Sequence, residues 1–305
     1  MKTVILDATT LTSLMVCPRY YQYRFRELWI PKGGRSNSIE CGSIVHAIIE
    51  QYYKSLILGK SRQNAISDGF TAGKEYLYPY HESNQFIVDK DHSGTENVPE
   101  DSDKRDIGWK FVFKTMEEYF DFYRNDTFTP IGTEEVRGAL IYQDDDLRVL
   151  WKAKFDTIID TSDGMMSMDH KTMKQRRDTL LMSNQFIGQC IILRARNVIV
   201  NKIGFQSSLQ PHEKFVRSTV SYTADKMAEW SQETVPHFAR MLLAYNEAGY
   251  YPMQFSGCET KFGFCDFYQT GYPPISGPCQ NDRVVREEVL NIYYKKGKEW
   301  DIRNA

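Results

Sequence analysis

The sequence predicts an α/β sandwich with helical additions on its N-terminal side. Three observations carry that expectation. Residues 38–59, SIECGSIVHAIIEQYYKSLILG, place Ile44, Val45, Ile48, Ile49, Tyr52 and Leu56 at helical spacing, the pattern of one buried helix face. Between 134 and 172, EEVRGALIY, RVLWKAKFDTIID and GMMSMDHKT have strand composition and are separated by DDD and TSDG turns. A helix-like stretch then intervenes before two further strand candidates, an order that suits helices packed on a sheet.

The elements are expected in the following order. A first helix opens at Thr10 or Thr12 and runs through LTSLMVCPRYYQYRFREL, with Pro18 bending or restarting it. Gly33-Gly34 breaks the chain before the helix of 38–59, which Gly59 ends. Residues 60–80 read as helix, 81–107 as a polar, acidic surface loop, and 109–125 as helix again. After the three strands come a helix over 178–196, strands at 197–208 and 214–222, and a long helix over 223–247 that stops near Gly249. The Cys-, Gly- and Pro-rich stretch 250–282 and a charged helical tail complete a single domain of 305 residues. Within it, 60–128 is expected to be a helical and loop insertion, 129–222 the sheet core and 250–282 a cysteine-rich segment.

Composition excludes several classes. At 41% apolar, 26% charged and 13% aromatic residues the chain has the means to build a core, which argues against disorder. No apolar run approaches the ~20 residues of a membrane helix, and the opening MKTVILDATT lacks a secretory leader's apolar stretch, so a cytoplasmic protein with no membrane partner is expected. The net charge of −2 leaves any nucleic-acid site to local patches. Six cysteines in a chain with no export signal read as thiols or metal ligands rather than disulfides.

The most informative stretch is 149–172. A tight turn at Asp163-Gly164 would set Ser162 opposite Met165 and Asp156 opposite Lys171. Asp169 lies two residues from Lys171 and so shares its face, putting two carboxylates and an ammonium together. A slip of one residue would separate them. Two carboxylates that close repel unless a cation joins them, and hard oxygen ligands suit Mg²⁺ or Mn²⁺. Such an ion can polarise a phosphodiester and acidify water. The other reading is a surface cross-strand ion pair with a spare Asp.

Asp156 followed by Asp169-His170-Lys171 resembles the D…(D/E)xK signature of the PD-(D/E)xK nuclease superfamily. Cys41-Gly42-Ser43-Ile44-Val45-His46 is similar to the G-x-x-x-H helix of the RecB-type exonucleases, and Gln185 on the following helix resembles their Q-x-x-x-Y element. Cys17 near the start, with cysteines near the end, resembles the CRISPR-associated iron–sulfur members of that branch. The resemblance implies a restriction-endonuclease-like mixed sheet flanked by helices. It implies His46, Asp156 and Asp169 as metal ligands with the His170 carbonyl, Lys171 as the catalytic lysine, and Gln185 near it. Gln189 stands where the family has Tyr. Glu134 and Glu135 read as a solvated strand end, with a place near the metal as the alternative.

By the same resemblance Cys17, Cys258, Cys265 and Cys279 would hold a 4Fe–4S cluster. Gaps of six and thirteen residues between the last three depart from the family's closer spacing, which leaves Zn²⁺ or no metal as alternatives. Cys41 and Cys190 read as small core residues. Arg19 and Arg24 in RYYQYRFR alternate with aromatics, which suits DNA stacking and phosphate contact or, equally, snorkelling arginines on an amphipathic helix. Lys174, Arg176 and Arg177 follow the catalytic strand as a basic patch for phosphates, whereas YYKKGKEW reads as a solvated face. The implied activity is a metal-dependent DNA exonuclease acting on single strands or ends, in the recombination, repair or phage DNA metabolism of a bacterial or phage-infected cell, with recombination or replication proteins as partners. A non-catalytic DNA-binding subunit and a structure-specific endonuclease are the rivals.

Overall fold

The computed structural model describes the chain except residues 33–36, 84–103, 163, 174–182, 206–208, 261–262, 271–274 and 298–305. The N-terminal half contains β1 (Lys2–Leu6), α1 (Ala8–Val16), α2 (Pro18–Tyr21), β2 (Trp29–Pro31), α3 (Asn37–Ile57), α4 (Arg62–Ser83) and α5 (Lys104–Phe122). The sheet core follows with β3 (Thr129–Gln143), β4 (Leu147–Thr161), β5 (Gly164–Met173), α6 (Asn184–Leu193), β6 (Asn197–Gly204), α7 (Pro211–Lys214) and β7 (Phe215–Ser221). Helices α8 (Ala224–Glu229) and α9 (Val235–Ala248) are joined by a π-helical turn at Trp230–Thr234, so the single long helix expected there is locally underwound.

The six-stranded sheet has the order β1-β4-β5-β6-β7, with β3 on the other side of β4. Strand β1 runs parallel to the first part of β4, Lys2 to Leu6 against Leu147 to Trp151. The last part of β4 pairs antiparallel with β5, from Thr157↔Met168 to Thr161↔Gly164. Beyond Met168, β5 leaves β4 and continues beside β6 in parallel register as far as Met173↔Gly204. The sheet is therefore mixed, and it forks between β4 and β5.

Apolar side chains cover both faces. On one, Leu11, Leu14, Trp151, Phe186, Val198, Trp230 and Val235 join α1, α6 and α9 to the sheet. On the other, Ile44, Val45, Ile48, Met116, Ile203 and Phe215 join α3 and α5 to it. The expected helix-flanked mixed sheet is what forms. Gly188 shows how close the contact is: a Cβ there would stand 2.1 Å from Trp151 Nε1, so only a glycine lets α6 lie on that indole. Among the described residues, no helix is long and apolar enough to cross a membrane.

Pro18 starts α2 at its first turn, after Cys17 has turned extended (φ −161°, ψ 112°), so it restarts the helix, one of the two outcomes expected. Two other features differ from expectation for identifiable reasons. Strand β1 is absent from the sequence reading because five residues of KTVIL have too short a pattern to declare a partner 145 positions away; its register pairs Lys2 with Leu147. The hairpin closes with Thr161 opposite Gly164 (φ +98°), not Ser162 opposite Met165. That offset is two residues, so continuing the register sets Asp156 beside Asp169 rather than Lys171. Because the strand period is two, the carboxylates and the lysine still meet.

Candidate active site

The fork determines what the site contains. Phe155 and Ile158, three residues apart, both pack with Leu193, while the Thr157 hydroxyl between them reaches His170 Nε2 at 3.1 Å on the opposite face. The regular alternation of β4 thus slips at Asp156. Its carboxylate turns into the gap, where the His170 backbone N–H donates to Oδ2 at 2.9 Å. His46 comes from α3, with Nδ1 3.8 Å from the same Oδ2. One helical turn earlier, Gly42 allows this approach: a Cβ there would lie 3.1 Å from the Thr172 hydroxyl.

Asp169 is buried, at 1% exposure, and held by two neighbours. Gln185 Nε2 donates to Oδ1 at 2.6 Å, and Lys171 Nζ stands 2.8 Å from Oδ2, an ion pair whose angle falls outside a hydrogen bond. Lys171 Nζ also donates to Gln185 Oε1 at 3.3 Å. These contacts close a ring of carboxylate, ammonium and amide. Burial works against the charge of Lys171, but Asp169 and Asp156 outweigh it and hold the ammonium above its ordinary range. Asp156 moves the other way, since burial and the nearby Asp169 charge raise its carboxyl to about 6, against opposing pulls from His46 and Lys171.

The His170 ring lies on the far side of the sheet, buried between Thr157 and Asn201, whose Nδ2 is 2.8 Å from Nδ1. Burial drives its basicity well below the usual value, so the ring is neutral packing and stacks on Tyr53 at 5.8 Å. Gln189 is also buried; it accepts from the Ser167 hydroxyl at 3.0 Å and donates to the Lys154 carbonyl at 3.4 Å, tying β4 to β5.

Of the expected ligands His46 and Asp156 lie together, and Glu134 lies with them. Among the described residues, His46, Glu134 and Asp156 each offer a donor atom within 4.8 Å of the others. Asp169 does not join this group; it stands behind, paired with Lys171 and Gln185. Glu134, read from sequence as a strand end, is inside β3, between the pairs Thr133↔Thr157 and Glu135↔Phe155, hence beside Asp156. Only that pairing register could have revealed it. These residues border an open cleft of about 760 Å³ that Gly42, Glu50 and Lys154 also line. An imidazole and two carboxylates at the edge of the cleft fit a divalent cation.

The expected cysteine group falls at one end of the molecule. Cys17 Sγ accepts from the Gln254 N–H at 3.5 Å, and the Cys265 N–H donates to the Cys258 carbonyl at 2.8 Å. Burial raises the Cys279 thiol to about 12, and Cys265, Cys17 and Cys258 each add to the shift. Gly257 allows the loop to close, because a Cβ there would lie 3.0 Å from Val16 and 3.3 Å from Cys17 Cβ. Cys41 and Cys190 are core residues, as expected.

Arg19 is turned inward, donating through Nε to the Tyr251 carbonyl at 2.7 Å and lying over the Tyr23 and Tyr250 rings. Arg24 lies within electrostatic reach of Asp266, while Tyr20 and Tyr23 pack on Phe267. The RYYQYRFR segment therefore packs against the C-terminal part of the chain. Lys174, Arg176 and Arg177 lie outside the described residues.

The sequence matches the profile of the PD-(D/E)XK nuclease superfamily over residues 6–269. No curated protein matches it. Solved structures with a similar chain trace include a candidate exonuclease from Eubacterium rectale, at 12% identity and TM-score 0.44, covering 82% of this chain and 84% of that one. Another is an alkaline exonuclease from Laribacter hongkongensis, at 9% identity and TM-score 0.29, covering 69% and 94%.

The raised Asp156 carboxyl has a cost for folding. Below about pH 4 it is protonated in both states, and the stability that its neutral form contributes is lost as the pH rises through about 6. In EDTA at pH 8, Asp156→Asn keeps an acceptor for the His170 N–H and removes the charge. It is expected to be more stable than the parent by up to about 2 kcal/mol, roughly 2–4 °C in Tm, with the gap closing near pH 4. Equal melting temperatures at pH 8 would contradict this assignment.

Proposed function

The chain belongs to the PD-(D/E)XK nuclease superfamily, and on that premise we propose that it is a metal-dependent DNA exonuclease acting on single strands or DNA ends. The observation that carries this reading is the meeting of His46, Asp156, Asp169, Lys171 and Gln185 at the β4–β5 fork, where His46 and Asp156 line an open cleft. When bound, Mg²⁺ or Mn²⁺ supplies Lewis-acid charge to a scissile phosphodiester and acidifies water.

The chain's own groups do the rest. Asp156 and His46 offer ligand atoms to the ion, and the His170 N–H keeps the Asp156 carboxylate oriented. Lys171 is held charged by the two aspartates, which suits an ammonium that orients a water or offsets charge building on phosphorus. Gln185 bridges Asp169 and Lys171 and so sets the distance between acid and ammonium. Recombination, repair or phage replication is the setting such a nuclease suits, by analogy with the family.

We also infer that Cys17, Cys258, Cys265 and Cys279 hold a 4Fe–4S cluster. Four thiols gathered between the α1–α2 junction and the 258–279 segment, in a stretch of small and turn-forming residues, support it. Such a group would clip the C-terminal segment to the first helices. Protein purified without oxygen is expected to be brown, and Cys17→Ala is expected to be colourless with a lower Tm. A colourless parent carrying one zinc per chain would overturn the cluster.

For the activity, end-labelled single-stranded oligonucleotides with Mn²⁺ are expected to yield 5′-phosphorylated products. EDTA should stop the reaction, and Lys171→Met should lower the rate on the order of 10²–10³-fold. Closed circular single strands should survive. Undiminished cleavage by Lys171→Met would refute the assignment, salt-dependent binding without any cleavage would favour a non-catalytic subunit, and cutting of circles would make it an endonuclease.

A further inference from the structure

We propose that Asn201 and Arg217 are positioning residues of this site: through the His170 ring they fix the peptide N–H that orients the Asp156 carboxylate. The inference deepens the nuclease reading above and rests on it for its catalytic consequence. Neither residue belongs to the D…DxK, G-x-x-x-H or Q-x-x-x-Y elements, and neither lines the cleft.

One residue from each of four neighbouring strands makes up a polar row beneath α3 and α5, whose Tyr53 and Tyr119 touch it. The register sets His170 of β5 opposite Asn201 of β6, and Asn201 opposite Arg217 of β7. Thr157 of β4 meets His170 diagonally across the fork. Thr157, His170 and Asn201 are all buried. Asn201 Nδ2 lies 2.8 Å from both the Tyr119 hydroxyl and His170 Nδ1. An amide nitrogen only donates, so Nδ1 accepts, and the proton of the neutral ring sits on Nε2, facing Thr157 Oγ1 at 3.1 Å. Arg217 fixes which way round the amide lies, because its Nε donates to Asn201 Oδ1 at 3.4 Å. The guanidinium is itself clamped: Nη1 and Nη2 donate to the Asp126 carboxylate at 2.6 and 2.8 Å, and it lies 3.6 Å over the Tyr123 ring.

The row acts where the backbone ladder has ended. After Met168 the pairing of β5 with β4 stops, and His170 bonds back to β4 at two points, its N–H to Asp156 Oδ2 at 2.9 Å and its ring to Thr157. A ring held at both nitrogens has one orientation, and the peptide that carries it is held with it. Without Asn201, Nδ1 would lose its donor inside the protein, at the full cost of an unmet buried acceptor, and the ring would turn to find another. The N–H would then shift relative to Asp156. Packing alone would be served by an apolar side chain at 201, as it is by Val200 and Ile203 on the same strand. A satisfied polar row selects one arrangement instead.

The alternative is a network that stabilises β5 to β7 and leaves the site unaffected. Nuclear magnetic resonance of the full chain carrying ¹⁵N-histidine, in EDTA at pH 7, separates the two, with the His170 amide identified by its loss in His170→Phe. A carboxylate acceptor pulls an amide proton downfield. Asn201→Leu and Arg217→Met are expected to move that resonance upfield, the direction in which Asp156→Ala moves it. Arg217→Met alters a side chain at the partly exposed end of the row, so it serves if Asn201→Leu does not fold. Ile203→Val, a buried change on β6 outside the row, is expected to lower Tm and leave the resonance in place. With Mn²⁺ and oligonucleotide, the two row variants should lose about tenfold or more in kcat at little-changed KM. An unmoved His170 amide in a folded row variant, or an equal shift in Ile203→Val, would make the row structural only and end the proposal. A shifted amide with parental kcat would end it too. A parent that cleaves nothing refutes the nuclease reading, while the amide resonance still decides whether the row sets the His170 N–H.

Discussion

The parting of β5 from β4 after Met168 is the constraint on which the site depends. As long as the two strands stay paired, their side chains alternate and their backbone groups satisfy one another. Where they separate, the His170 N–H loses its place in that ladder and finds the Asp156 carboxylate instead. The slip in β4 between Phe155 and Ile158 turns that carboxylate toward α3, while Asp169 and Lys171 stay together on β5 as the strand period requires. Continued pairing would set Asp156 directly opposite Asp169; the fork instead gives its carboxylate the His170 N–H and the His46 ring as neighbours. Buried carboxylates are tolerated here because each has a specific neighbour: His170 N–H for Asp156, Gln185 and Lys171 for Asp169, Lys154 for Glu134.

Much of this was legible before any coordinates. The spacing of Asp169 and Lys171 needs only the two-residue period of a strand, and it survived an error in the turn because the error was an even number of residues. His46 could be placed from the Gly42-containing helix, and Gln185 from its position on the helix after the lysine. Residues whose place depends on pairing between distant segments were not legible. Strand β1 has five residues and a partner set by tertiary contacts. Glu134 joins the site only through the β3–β4 register and an unusual φ, neither of which its local sequence announces. The sequence offered Glu134 a place near the metal only as the alternative to a solvated strand end, and in both cases the decision lay in long-range β pairing, where local pattern is least informative.

The N-terminal aromatic and basic segment illustrates a different ambiguity. Arginine beside tyrosine serves equally to grip nucleic acid and to pack chain against chain. Here the second use is evident, since Arg19 caps the Tyr251 carbonyl, Arg26 reaches Asn246 and Tyr251, and Tyr20 and Tyr23 meet Phe267. These contacts hold the RYYQYRFR segment against the C-terminal part of the chain, next to Cys17, whose Sγ accepts from the Gln254 N–H.

A crystal soaked in MnCl₂ and recorded at the manganese absorption edge tests the central claim most directly. The account predicts an anomalous peak in the β4–β5 fork, within coordination distance of His46 and Asp156. A peak elsewhere on the chain, or none at a Mn²⁺ concentration that supports cleavage, would contradict it.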